Sequence, residues 1–239
     1  MWRWAGDTLA VHDYSAARIS LFTGAGFARS IVLGEPTALV TAGLFGRLPD
    51  ASLVLGTVKP VDYSKATAST VRHPQSLINW RVGSPDLQTI ATDVPGLERY
   101  VAVINGRPEM VRANFGRSTS IGVAGSAVVI YDNALPQVKV LAADGKLLRV
   151  VRFDLKDPAV SAADRDSVLE AKSTKQGLAS APADVRALLV RFPPTKPNAT
   201  WAGVDDGGFW LALKPTGGGS TPVHIRVDLS GRLTHCFRA

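Results

Sequence analysis

Val138-Lys-Val-Leu-Ala-Ala-Asp-Gly-Lys-Leu-Leu-Arg-Val-Val151 decides the fold, because the chain writes this strand–turn–strand phrase again. Ile19 to Val32 and His224 to Phe237 are clear copies, and Leu77 to Ile90 is a looser one. Apolar and polar residues alternate on either side of a turn, which is the period of a half-buried strand. Asp144-Gly145 and Ser230-Gly231 are turn dipeptides, since glycine supplies the positive φ that tight hairpins need. A second hairpin precedes each copy: Trp2 to Val11, Gly43 to Leu55, Ile121 to Ile130 and Ala202 to Leu211. Gly6 to Gly26 spans 20 positions and so does Gly125 to Gly145, whereas Gly207 to Gly231 spans 24 because Thr216 to Pro222 lengthens the loop.

A four-stranded unit written several times predicts an all-β array of small antiparallel sheets, each needing a neighbour to cover its faces. A β-propeller-like array of about four blades fits the equal turn spacing; a β-sandwich is the competing arrangement. The units fall at about 1–35, 36–97, 98–157 and 192–239, in a single domain spanning 1–239. An insertion is expected from Lys59 to Gln75. Tyr100 to Arg112 reads as an extra hairpin turning at Asn105-Gly106. Residues 158–191 read as a helical insertion, with a capping-box start at Ser161 to Asp164 and a second helix opened by Pro182. Such a pair would pack on the rim of the array or across one of its mouths.

Bulk properties exclude more than they assign. The 239 residues are 46% hydrophobic and 20% charged, which describes a folded chain rather than a disordered one. No apolar run reaches the ~20 residues of a membrane helix. The N-terminal residues show no signal core, and Met1 runs directly into a strand, so compartment and any upstream segment stay open. Cys236 is the only cysteine, which rules out an intrachain disulfide and a cysteine-based zinc site. The formal charge of +7 is spread without a lysine/arginine block, so nucleic acid is not an expected partner; a polyanion-binding surface stays as an alternative.

Several marks together resemble six-bladed β-propeller proteins of bacteria related to the NHL-repeat group. They are Gly6 to Asp13, Ala143 to Arg152, Asn114-Phe115-Gly116-Arg117, and Ser161 to Asp166 opening a helical insertion. The resemblance implies a binding scaffold, often exported or lipid-anchored. Four units instead of six would leave end blades with exposed faces, unless the chain is part of a longer protein, pairs with another copy, or closes as a tighter four-bladed ring.

The chemistry is sparse. Gly24-Ala-Gly-Phe-Ala-Arg29 mimics a dinucleotide loop but lacks the third glycine and leads into a strand. The four histidines make no metal-ligand spacing, although His224 and His235 could face one another across the last hairpin. Asp205-Asp206 before Gly207-Gly208 suits turn chemistry. Arg117, with Arg81, Arg99 and Arg112 in nearby connections, could form a funnel for carboxylates, phosphates or acidic sugars. Alternatively, Arg117 braces neighbouring blades. A non-enzymatic scaffold holding a small anion or a protein is therefore the first expectation, without a cofactor. A metal-dependent propeller enzyme, a lyase or lactone hydrolase, is the second and would need several carboxylates converging on one point.

Overall fold

Gly125 and Gly145 both lie at positive φ, 56° and 90°; Gly145 turns the hairpin of the opening phrase and Gly125 turns the hairpin that precedes it. Four strands follow in chain order: β10 (Thr119–Ala124), β11 (Ala127–Asp132), β12 (Gln137–Ala142) and β13 (Leu147–Arg152). They form one antiparallel sheet of that same order. The structure is a computed structural model and describes residues 2–33, 39, 42–58, 69–105, 107–175, 181–214 and 221–238.

The other copies fold the same way. The first sheet holds β1 (Trp2–Ala5), β2 (Thr8–Asp13), β3 (Arg18–Thr23) and β4 (Gly26–Val32). The fourth holds β14 (Ala199–Asp205), β15 (Gly208–Leu213), β16 (Val223–Asp228) and β17 (Leu233–Arg238). The second is larger: β5 (Gly43–Arg47), β6 (Leu53–Val58), β7 (Ser69–Trp80), β8 (Leu87–Ile104) and β9 (Arg107–Arg112). The protein is thus mostly β, built of repeated antiparallel meanders.

The second sheet departs from the expected units. The hairpin at 100–112 forms, but its first arm is the far end of β8, which runs on through residue 98. Residues 98–112 therefore hydrogen-bond into the second sheet rather than the third. Residues 69–75 are likewise strand, not insertion, and residues 59–68 lie outside the described set. Pro74 stands opposite Pro95 where β7 and β8 lose regular pairing, as expected of residues that cannot donate to the ladder. Gly106 and most of the 216–222 loop also lie outside the described residues.

Each sheet packs on the next in chain order. Strand β11 shows how: Val128 and Ile130 join Val54 and Leu77 of the second sheet, while Val129 and Tyr131 join Phe209 and Leu211 of the fourth. Its AVVIYD run is buried on both faces, which explains its nearly continuous hydrophobicity. Ala10, Ile19 and Leu21 of the first sheet pack on Leu53, Leu55 and Trp80 of the second. The first strand β10 adjoins both β5 and β14. They approach so closely that a Cβ on Gly46 would lie 2.7 Å from Val123, and one on Gly122 would lie 2.8 Å from Val204.

Polar braces tie the same joints. Arg72 of β7 reaches into the third sheet and holds Asp132 with two hydrogen bonds, 2.9 and 3.1 Å long. The Tyr131 hydroxyl donates to the Ala199 carbonyl at 3.1 Å, linking the third and fourth sheets, and burial pushes its pKa up.

Between β13 and β14 come α1 (Ala162–Lys175) and α2 (Ala183–Leu189), as expected within 158–191. The capping box is complete. The Asp164 amide donates to Ser161 Oγ at 3.1 Å, and the Ser161 amide donates back to the Asp164 carboxylate at 3.0 Å. Leu188 of α2 is buried with Tyr100 and Ala113, which fastens the short helix to the long arm of the second sheet.

Candidate functional site

Asn114, Phe115 and Gly116 form the short link between β9 and β10, and the local backbone is constrained. Phe115 has φ 50°, and a Cβ on Gly116 would lie 2.8 Å from Ala113. The link stays in place because the Asn114 side-chain amide donates to the carbonyls of Leu189 (2.8 Å) and Arg191 (2.7 Å) at the end of α2. Asn114 itself is buried. This anchor holds the helical pair over the ends of the sheets.

A cavity of about 570 Å³ opens there, within the range of small-molecule sites. It is walled by the end of β9, the 113–118 link, Asn133 after β11, Val168 and Lys172 of α1, Leu189 of α2, Pro197, Thr200 and Lys214. Three cationic side chains line it, Arg112, Lys172 and Lys214, and none of its described lining residues is acidic. Asn114, Ser118, Asn133 and Thr200 add neutral polar groups.

Among the described residues, neither the Lys172 nor the Lys214 ammonium is paired with a carboxylate. Lys172 donates to the Leu189 carbonyl at 3.0 Å, and burial lowers its pKa. The Lys214 ammonium lies 5.8 Å from the centre of the Phe115 ring. Burial, then the nearby Lys196 charge, lowers its pKa, while Asp164 and Asp157 act the other way. Lys196 differs: it holds Asp164 at 2.6 Å, and that bond with the Ser161 cap pulls the carboxyl down to about 2. A site of this kind can take up a small anion, because desolvated cations keep their attraction where exposed ones are screened.

The four expected arginines part company. Arg112 lines the cavity. Arg99 is its direct cross-strand neighbour on β8. Arg117 is a brace: its guanidinium holds Asp157 at 2.7 Å, the Asn133 carbonyl at 3.2 Å and Thr195 Oγ1 at 3.0 Å. Its amide donates to the Glu98 carboxylate at 2.6 Å. Arg81 follows Trp80 at the far end of β7 and pairs at 3.5 Å with exposed Asp50. One of the four therefore reaches the site, and a second supports its wall. Sequence reasoning missed Lys172 and Lys214. The signal for Lys172 was its place within the 158–191 helical insertion, expected to pack on the rim or across a mouth; Lys214, at the end of a strand, carried none.

The remaining candidates resolve simply. Asp205 accepts from Gly207 N at 3.0 Å, Trp210 Nε1 at 2.9 Å and Arg226 Nη2 at 2.6 Å, so it is turn and brace chemistry, and Arg226 holds its carboxyl far below the usual range. His224 and His235 do not oppose one another: His224 pairs with Phe237, and His235 with Arg226. Gly26 opens a strand, so nothing like a dinucleotide loop forms. Among the described residues, no three His, Cys, Asp or Glu side chains gather as metal ligands would. No helix among the described residues is long and apolar enough to cross a membrane. No protein-family model matches this chain, and no curated protein matches it either.

Proposed function

We propose that the four sheets are blades of a β-propeller-type array and that the protein is a binding scaffold for a small anion. The ligand sits beneath the helical pair, held by Arg112, Lys172 and Lys214. The observation that carries this reading is the cavity's lining: three cations and no acid among its described residues, with Arg112 and Lys214 paired to no carboxylate there. The cavity lies at the starts of first strands and the ends of second strands, where loops from adjacent sheets converge. Rigid sheets supply position and the loops supply recognition. Adjoining first strands and the order of marks shared with the NHL-repeat group support the blade reading.

Calorimetric titration with a panel of mono- and dicarboxylates, a uronic acid and a sugar phosphate tests it. One class should bind, and Arg112→Gln or Lys214→Met should weaken that binding about tenfold, the worth of one charge-assisted contact of ~1.4 kcal/mol. Arg81→Gln should leave it unchanged. No binding by any anion, or equal binding by all the variants, would remove the reading.

A further inference from the structure

The sheets share one register, so the same positions can be compared where a neighbour is present and where none is. In the third sheet Val128 and its cross-strand partner Leu141 face the second sheet and are buried. In the fourth, Phe209 and Val227 hold these positions against the third sheet and are buried too. In the first sheet the same pair is Leu9 and Phe22, on the face turned away from the second sheet. Leu9 is 41% exposed.

The opposite end of the stack is also open. Gly46 lies opposite Val54, and Gly122 opposite Val129; each glycine receives a valine of the following sheet. Gly203 lies opposite Trp210 in the fourth sheet, and a Cβ there would meet nothing within 4 Å. Phe237 holds the register position of buried Ile31 and Val151, yet is 49% exposed. Its ring meets Trp210 edge-on at 5.8 Å, and the Arg226 charge beside them is already taken up by Asp205. None of the buried clusters among the described residues joins the fourth sheet to the first.

We propose that the free face of the fourth sheet receives the free face of the first sheet of a second copy, and that two copies close head to tail into a ring of eight sheets. The contact continues the stacking already made three times within the chain, in which a glycine-bearing face receives the next sheet at two joints, Gly46 against Val123 and Gly122 against Val204. Eight sheets fall within the about four to eight of known closed arrays. Four strands of six residues span about 20 by 19 Å, on the order of 400 Å² before side-chain relief. Closing the ring uses two such faces on each copy, which reaches the about 800 Å² per partner of a stable interface. The inference rests on sheet register and is independent of the anion cavity.

Sedimentation velocity on the 239-residue chain across a concentration range tests it. The expected result is a dimer. Leu9→Asp and Phe237→Asp, both at exposed positions, should each weaken association at least about a hundredfold, as loss of a central apolar anchor does. Phe22→Asp and Trp210→Asp serve as a second pair. Mixing Leu9→Asp with Phe237→Asp should restore a one-to-one dimer, because one intact pair of faces remains. A monomeric wild-type chain overturns the proposal. So does a dimer that survives Phe237→Asp, which would have the first sheet meeting its own copy.

Discussion

Replacing Arg72 by alanine tests how firmly the second and third sheets are joined. The guanidinium makes four hydrogen bonds: to Gly96 O at 2.9 Å, to the two Asp132 oxygens at 3.1 and 2.9 Å, and to Thr119 Oγ1 at 3.0 Å. Arg72 and Asp132 are only 18% and 17% exposed. The substitution removes all four bonds and leaves the Asp132 charge with the Ala134 amide, 3.0 Å away. Stranding one partner of a largely buried pair costs about 3–5 kcal/mol. The control is Arg18, whose pairing with Asp13 at 3.6 Å is solvated, and Arg18→Ala should cost under about 1 kcal/mol. Urea unfolding followed by circular dichroism at constant pH measures both. Because stacked repeats need not unfold in one step, the first transition is the one to compare. Asp132→Asn in the Arg72→Ala background should recover part of the loss, since it removes the stranded charge. An Arg72→Ala midpoint no lower than that of Arg18→Ala would refute the reasoning.

Gly122→Ala should destabilise by about 1–3 kcal/mol, because its Cβ would sit 2.8 Å from Val204; thermal melting checks this. Asn114→Ala should loosen α2 by about 1–3 kcal/mol through two lost bonds to its final carbonyls, read as faster hydrogen exchange over residues 183–189. Burial lowers the pKa of His12, and burial followed by the Arg99 charge lowers that of His73, so the fold favours the neutral rings. Their contribution is complete above the unfolded value of about 6.5 and is lost as pH falls toward the lower folded values. The melting temperature should therefore drop between pH 7 and 5, and His12→Phe should flatten that slope.

Hairpins were legible from local residues alone. Turn glycines and alternating flanks set β12, β13, β16 and β17, and a capping box with a proline set the two helices. What the local pattern could not settle was which sheet a strand joins. Residues 98–112 read as the opening of a new unit because a turn at Asn105 looks the same in any sheet. The ladder of β7 with β8 decides their membership, and it pairs residues far apart in sequence. The cavity was legible in part for the same reason. Arg112 and the 114–117 link stood out, but Arg117 turned into the wall, where Asp157 and Thr195 could satisfy it. Lys172 reaches the site because α1 folds back over the sheet ends, and Lys214 reaches it from the end of β15, where the fourth sheet packs on the third. Arg81 failed as a site residue for a simple geometric reason: it lies at the other end of a 12-residue strand.

The central claim is that equivalent sheets stack in chain order, with the first strand of the third sheet in direct contact with those of the second and fourth. Methyl-labelled NMR on the intact chain tests it at two joints. Val123 methyls should give nuclear Overhauser effects to the Gly46 α protons, and Val204 methyls to those of Gly122. Absence of both, with each valine seeing only its own sheet, would contradict the account.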